Sequence, residues 1–557
     1  MFDAVIVGSG FGGSVMSYRL AQAGLSVCVL ERGKAWPPRS FPRTPLQFKQ
    51  ALWDPSEGGH GLYHVWWFRN LAAVVSSGLG GGSLIYANVL LRKDERWFAE
   101  TVDGRREPWP VTYADLERHY RSAEEILSPI PYPKHLRKTT PKTRAFVDAG
   151  NRLALEPFYP PLAITFSGEE QELGRPFGQP RENVHDAQRY TCRLVGECDA
   201  GCNFGSKNSL DFTYLAHARD LGAEIRTRQE VKAFERAPNG AFKVEVVDHG
   251  QYEEGHKREG SPPRYVLESK RLILSAGALG TPYLLLANRS QLPGISPRLG
   301  TRFCGNGDYV AFARRCRTTA DGKRVPRTIE PTRGPVITAA IRIGDALDED
   351  GHTGRGFYLE DGGYPQFGAW VSQLLNTPRV LASSRSIELK LLWKVLTNNP
   401  VRDLSFDLSE LFGSREVSWG TMVLLGMGRE VPQGRMHLRG GMLDIEWSRR
   451  VAKPYFDSVR SRMGELAEAM GGRLGDNVLS RYLKTVVAAH PVGGCPMGAS
   501  HATGVVDPAT GEVYGYPGLH VADGSVLPGP VGANPSLTIA AVADRFAEGI
   551  LALEGRL

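Results

Sequence analysis

The stretch that most restricts what this chain can fold into lies at its start, where Val5-Ile6-Val7 runs into Gly8-Ser9-Gly10-Phe11-Gly12-Gly13. A short β-branched apolar run marks a strand buried on both faces in a parallel sheet. The glycines form a complete G-x-G-x-x-G. Ser14 to Ala23 follows as a helix with Gly24 as its stop, and Leu25 to Leu30 reads as a second strand ending on Glu31. A lone glycine motif says little. Set between strand and helix, with an acid closing the next strand, it defines an α/β, Rossmann-like dinucleotide-binding unit. The glycines let the backbone turn tightly against a pyrophosphate. The helix N-terminus offers unpaired N–H groups and a positive dipole end, and Glu31 can accept from a ribose hydroxyl. Gly8, Gly10, Phe11, Gly12, Gly13 and Glu31 are cofactor-binding candidates. The motif alone does not choose between NAD and FAD.

Composition removes several other classes. At about 100–200 residues per domain, 557 residues allow several ordinary domains or fewer large ones. With 41% hydrophobic and 23% charged residues the chain can bury a large core, so disorder is excluded as its main theme. The net charge of +7 is small for this length and its signs are interspersed, which argues against a nucleic-acid binder. Seven cysteines are too few, and odd in number, for a disulfide scaffold. No run approaches the ~20 apolar residues of a membrane-spanning helix. Met1-Phe2-Asp3 leads straight into the first strand with no leader-like segment, so a cytoplasmic location is expected.

Further motifs follow along the chain. Ser77-Gly78-Leu79-Gly80-Gly81-Gly82-Ser83-Leu84 is a second glycine loop, of the kind that brings backbone close to a ligand. Leu272 to Pro282 repeats the strand-then-glycine pattern around Ala276 and Gly277, with an apolar helix from Tyr283 to Ala287. His490-Pro-Val-Gly-Gly-Cys495 precedes Leu519-His-Val-Ala-Asp523-Gly524-Ser525 and Gly532-Ala-Asn534-Pro535. Together these resemble the glucose–methanol–choline (GMC) family of flavin oxidoreductases over nearly the whole chain, more weakly in the middle third. Within the family the chain is most similar to the non-covalent bacterial cholesterol oxidases and their relatives, on Gly80 to Leu84, His490 to Cys495 and Gly532 to Ile539.

The resemblance implies FAD, a two-domain fold and oxidation of an alcohol CH–OH group. It places Gly8, Gly10 and Gly13 at the FAD diphosphate and Glu31 at the adenosine ribose. Gly78, Gly81, Gly82 and Ser83 would line the diphosphate and flavin edge. Val231 would lie near the adenine, in the strand and turn Glu224 to Lys232, and Asp523 near the ribityl and diphosphate. Asn88, Ala276, Gly277, Gly524, Asn534 and Pro535 complete the cofactor set. Some relatives tether the flavin through a histidine just after the second glycine loop. Tyr86 stands there in this chain, so non-covalent FAD is expected.

His490 follows the apolar run Val486 to Ala489 at a strand-to-turn junction, where proline and two glycines aim a side chain into a cavity. Asn534 precedes Pro535 and reads as the cap of a helix from Ser536 to Ala547. The resemblance puts both at the flavin's reactive edge, where the substrate oxygen needs a base or donors. A structural histidine and a plain cap are the alternatives. The resemblance also implies a glutamate base in the substrate domain, and the match is Glu360, ahead of Gly368-Ala-Trp-Val-Ser372. In an apolar pocket its pKa would rise; the alternative is a surface or flavin-edge carboxylate. His490, Asn534 and Glu360 are thus the catalytic candidates.

Cys192, Cys198 and Cys202 fall within eleven residues, C-x5-C-x3-C. A structural turn is favoured over a metal site, because similar segments in some relatives carry a further cysteine where Val195 stands. Pro335 to Ile341 reads as a strand and Phe456 to Met470 as a helix. Trp36, Trp53, Trp66 and Trp67 suit either an entry loop or core packing. The nucleotide motifs recur at both ends and in the middle, so a discontinuous FAD domain is expected over 1–37, 72–108, 205–314 and 486–557. An α+β substrate domain, its sheet roofing the flavin, would take 38–71, 109–204 and 315–485. The expected substrate is a lipophilic alcohol, first a 3-hydroxysteroid, with dioxygen or a quinone-type acceptor. A long-chain, terpenoid or sugar alcohol, or non-oxidative flavin chemistry, is the alternative. A monomer or small homo-oligomer without a transmembrane anchor is expected.

Overall fold

Phe2–Val7 is an interior strand because both of its faces are covered, and Ala4 to Val7 are buried. The computed structural model describes residues 1–102, 105–168, 172–252, 254–365, 420–477 and 485–556. A seven-stranded sheet runs in the order Glu224–Thr227, Val27–Glu31, Phe2–Val7, Arg264–Leu274, Phe242–Asp248, Gln229–Arg236. Leu519–Val521 pairs in parallel with the end of Arg264–Leu274. The first strand pairs in parallel with both neighbours, Val7 opposite Leu30 and Leu274. The parallel strands therefore end together, where the glycine turn begins.

The helix after the motif is Phe11–Gln22, starting inside the glycines rather than at Ser14. It packs against the C-terminal helix Ser536–Leu553, which lies in turn on Tyr113–Leu127. The helix read as beginning at Tyr283 begins at Gly277 and runs through Pro282.

A five-stranded antiparallel sheet forms the second layer, in the order Ala340–Ile343, Phe357–Gly362, Met422–Gly428, Tyr309–Arg314, Arg473–Asp476. Tyr309–Arg314 belongs to this sheet, although the expected boundary at 314 placed it with the nucleotide strands. Helix Arg449–Ala469 covers the sheet, and it begins seven residues before the expected Phe456. The strand expected from Pro335 to Ile341 is mostly irregular. The amides of Thr338 and Ala339 donate to Asp361 Oδ1, at 2.6 and 2.7 Å, instead of to a neighbouring strand. Val486–Ala488, Leu71–Ser76 and Tyr63–Trp67 form a three-stranded sheet, and Val486–Ala488 contacts Tyr309–Arg314 of the second layer. Trp66 and Trp67 therefore lie on a strand facing the cavity, while Trp36 is buried. Among the described residues no helix is long and apolar enough to cross a membrane.

Candidate functional site

The strand ends, the glycine turns and the two layers enclose a cavity of about 2010 Å³. Ligand pockets are commonly ~300–1,000 Å³, so this one has room for a dinucleotide and a second molecule. Of the expected cofactor residues, Gly8, Gly10, Phe11, Gly12, Glu31, Gly81, Gly82, Val231, Ala276, Gly277, Asp523, Gly524, Asn534 and Pro535 line it.

Gly13, Gly78, Ser83 and Asn88 stand behind the wall. A Cβ on Gly13 would meet Gly8 O at 2.1 Å, and one on Gly78 would meet Leu84 and Trp36 side chains. Ser83 Oγ donates to Gly80 O (2.7 Å) and accepts from Leu210 N (3.0 Å), which shapes the loop rather than a ligand. Asn88 is buried with both side-chain polar atoms unpartnered.

The two glycine loops touch: a Cβ on Gly81 would lie 2.7 Å from Gly10 Cα. Ser9 Oγ accepts from Gly80 N (3.0 Å) and donates to Glu31 Oε2 (2.6 Å). Glu31 Oε1 accepts from Gly33 N (2.9 Å). Asp523 closes the cradle from the other side, accepting from Gly277 N (2.9 Å), Thr281 Oγ1 (2.5 Å) and Ser525 N (2.8 Å).

The cradle fits a dinucleotide cofactor on two observations. A Cβ on Gly10 or on Gly82 would meet no protein atom within 4 Å, so both backbones face open space. Helix Phe11–Gln22 has no side-chain cap at its N-terminus, which leaves its first amides for an anion.

His490, Asn534 and Asp308 line the same cavity. Val486–Ala488 is held in parallel register on Leu71–Ser76, Ala488 opposite Ala73. The chain then turns through Gly493 (φ 84°), where a Cβ would lie 2.1 Å from Arg302 O. Asp308 Oδ2 accepts from Ala489 N (2.6 Å) and His490 N (2.9 Å), and Oδ1 contacts His490 Nδ1 at 2.8 Å. Burial opposes the imidazolium, but the Asp308 carboxylate, with Glu360 and Asp199 adding to it, raises the His490 pKa. Asp308 escaped the sequence reading. Its one signal there is position, in the glycine-flanked turn Gly305-Asn306-Gly307-Asp308 ahead of an apolar strand.

Asn534 does not cap the C-terminal helix. That helix starts at Ser536 with Pro535 as its N-cap and no side-chain cap bond. The Asn534 side chain is freed from the expected role, and its buried Oδ1 has no partner. Asn534, Pro535, Ser536 and Ile539 line the cavity, so the first turn of the helix faces it.

Glu360 sits on Phe357–Gly362, opposite Leu425 and Ala340. It is fully buried and neither carboxyl oxygen has a hydrogen-bond partner. Burial pushes its pKa up to about 8, against the opposing pull of His490 and the nearby Asn534 amide. It does not line the open cavity; its register partner Leu425 does. Residues 368–372, which follow Glu360 in the resemblance, lie outside the described residues.

Cys192 and Cys198 are buried, Cys202 is half-buried, and all seven cysteines are unpaired. Among the described residues no group of three or more His, Cys, Asp or Glu side chains could hold a metal ion. Cys198–Ala200 is a short helical turn. Lys207 Nζ ties it to the second glycine loop, donating to the carbonyls of Cys198 (2.9 Å), Leu84 (3.0 Å) and Tyr86 (2.9 Å).

A glycine cradle at the ends of parallel strands, opening onto a histidine held by an aspartate, has the features of a dinucleotide-dependent oxidoreductase of the α/β class. Known proteins agree. Residues 6–35 match the NAD(P)-binding Rossmann-like domain, and residues 164–304 and 455–543 match the two GMC oxidoreductase family models. The two GMC oxidoreductase matches, together with the Rossmann-like one, indicate a flavin cofactor.

It is 28% identical to a cholesterol oxidase of Mycobacterium tuberculosis, over 98% of this chain and 90% of that one. It is 27% identical to a cholesterol oxidase of Acinetobacter baumannii, over 98% and 93%. A long-chain-alcohol oxidase of Arabidopsis thaliana is 25% identical over 97% of this chain and 66% of that one. Among solved structures, an FAD-dependent oxidoreductase from Chaetomium thermophilum shares the fold, with a TM-score of 0.57 at 14% identity over the full length of both chains.

Proposed function

We propose that this chain binds FAD without a covalent bond and oxidises the CH–OH group of a hydrophobic alcohol, first a 3-hydroxysteroid, passing the electrons to dioxygen to give hydrogen peroxide. The observation that carries this reading is His490: it lines the cavity, is held at Nδ1 by Asp308, and interacts with the buried carboxyl of Glu360 behind the wall. The similarity to two cholesterol oxidases supports the steroid. The similarity to a long-chain-alcohol oxidase supports the second reading, a long-chain alcohol in the same site.

When bound, FAD supplies the two-electron acceptor for the hydride that leaves the alcohol carbon. The protein handles the proton and the oxygen. His490, engaged at Nδ1, has Nε2 left to take the hydroxyl proton. The Asn534 amide and the first turn of the C-terminal helix face the oxygen as it gains negative character. Glu360, titrating near 8, can take a proton from the carbon beside the new ketone and return it further along the ring, which shifts the double bond.

The test is anaerobic absorbance of the flavin on adding cholesterol in detergent, then a long-chain alcohol. Bleaching by the sterol is the expected result. Bleaching by the long-chain alcohol alone moves the reading to the second substrate, and bleaching by neither removes alcohol oxidation. Denaturation is expected to release all the flavin into the supernatant, because Tyr86 offers no nucleophilic ring nitrogen at the tether position. Flavin that stays with the precipitated protein would show a covalent bond.

A further inference from the structure

We infer that Asp308 is the positioning residue for His490: its carboxylate fixes the ring as the Nδ1–H tautomer and so presents Nε2 as the proton acceptor. For its chemistry this rests on the alcohol-oxidising reading above. A neutral imidazole carries one N–H, and whichever nitrogen donates leaves the other with the lone pair. An ionised carboxylate offers only acceptor sites. With Asp308 Oδ1 2.8 Å from Nδ1, the proton belongs on Nδ1. The second oxygen takes the amides of Ala489 and His490, so the same carboxylate orients both the ring and the backbone that carries it.

The turn bearing Asp308 is itself fixed. Asn306, at φ 56°, accepts at Oδ1 from Val531 N (2.8 Å) and Gly532 N (3.1 Å) and donates from Nδ2 to Ala533 O (2.9 Å). Gly307 N donates to Glu430 Oε2 (2.8 Å), and Glu430 Oε1 accepts from Trp447 Nε1 (3.1 Å). One four-residue turn therefore sets the histidine loop through Asp308 and the Asn534 loop through Asn306. The two groups that meet the substrate oxygen come from chain segments 44 residues apart and are registered against this common point.

The proton step balances within this frame. The alcohol O–H bond breaks, its proton bonds to Nε2, and the electron pair stays on the substrate oxygen. The Nδ1–H remains and the imidazolium so formed faces the Asp308 carboxylate, which stabilises it. Glu360 and Asp199 also favour the charged ring, and Glu430 lies beside Asp308.

The experiment compares wild-type holoenzyme with Asp308→Asn. An asparagine oxygen can still accept the backbone amides, but its NH2 group would then donate toward Nδ1 and force the Nε2–H tautomer. Nitrogen NMR of the ¹⁵N-histidine-labelled holoenzyme, with His490→Asn used to assign the signal, is expected to show Nδ1–H in the wild type. In D308N the tautomer is expected to invert and the titration midpoint to fall, because the carboxylate that favours the charged ring is gone.

Rapid-mixing flavin reduction by an alcohol is expected to slow about 10²- to 10⁴-fold in D308N, with a changed pH profile and little change in half-saturation. Adding D308N to H490N is expected to cost less than about twofold more, as residues acting through one another are not additive. A wild-type His490 carrying Nε2–H, a D308N midpoint unchanged, or additive losses in the double variant would each overturn the inference. The wild-type tautomer decides even if D308N fails to fold. If no alcohol reduces the wild type, the oxidoreductase reading falls while the NMR result still judges Asp308.

Discussion

Replacing Glu360 by Gln is expected to leave flavin content unchanged, to reduce alcohol oxidation modestly, and to slow double-bond migration in a steroid product by about 10²- to 10⁴-fold. The amide keeps the shape of the carboxyl but cannot take a proton. The starting 5-ene alcohol is then expected to accumulate as the unconjugated ketone. The pH dependence follows from the same group. Migration needs the carboxylate, so in the wild type its rate is expected to rise with pH toward a plateau above about 8, and that limb vanishes in the variant.

Stability gives an independent reading. A carboxyl that titrates at 4.5 when exposed and near 8 when folded keeps its proton in the native state after the unfolded chain has lost it. Its contribution is fully present below 4.5 and is lost as pH rises to about 8, by roughly 5 kcal/mol at most. E360Q escapes this loss. Its melting temperature relative to the wild type is expected to be several degrees higher at pH 8.5 than at pH 5, a difference that calorimetry can read. If oxidation and migration both proceed at wild-type rates, Glu360 has no part in the chemistry.

The parts of this site visible in the sequence are those whose chemistry is local. Val5 to Gly13 carries its meaning in neighbouring residues, and the structure forms the strand, turn and helix there with only the helix start displaced. His490 was legible because proline and glycines shape its turn within a few residues. Asp308 was not, because its meaning is a contact across 182 positions and nothing in Gly305 to Asp308 names its partner. The same limit explains two local misreadings. Pro335 to Ile341 has the composition of a strand, but the buried Asp361, itself paired with Lys142, captures the amides a strand would need. Asn534 has the composition of a cap, yet Pro535 takes the capping position, and the asparagine turns to the cavity instead. Tertiary partners outcompeted local preference in both cases.

Gly12→Ala is expected to abolish flavin binding and destabilise the fold, while Gly10→Ala weakens flavin binding and leaves the fold intact. The two residues look equivalent in the motif but face opposite ways. A Cβ on Gly12 would sit 1.6 Å from Ala522 O and 2.5 Å from its carbonyl carbon. That carbonyl accepts from Ser275 Oγ (2.9 Å), and the Ala522 amide donates to Leu274 O (3.0 Å), so the backbone there is held and cannot yield. The glycine helix must move away instead, opening its contact with the strand ends and dragging the phosphate loop with it. Overpacking of this kind costs about 1–3 kcal/mol and sometimes more, and here it also displaces Asp523, which holds Gly277 on the far wall of the cradle. On Gly10 the same methyl meets no protein atom within 4 Å and points into the space meant for the cofactor. The apoprotein of G10A is therefore expected to melt with the wild type and its flavin affinity to fall tenfold or more, measured by fluorescence titration. G12A is expected to melt several degrees lower and to purify colourless. A G10A variant that binds flavin as tightly as the wild type would show that the open side of the glycine turn is not the pyrophosphate site, and the orientation of the cofactor in the cavity would have to be reversed.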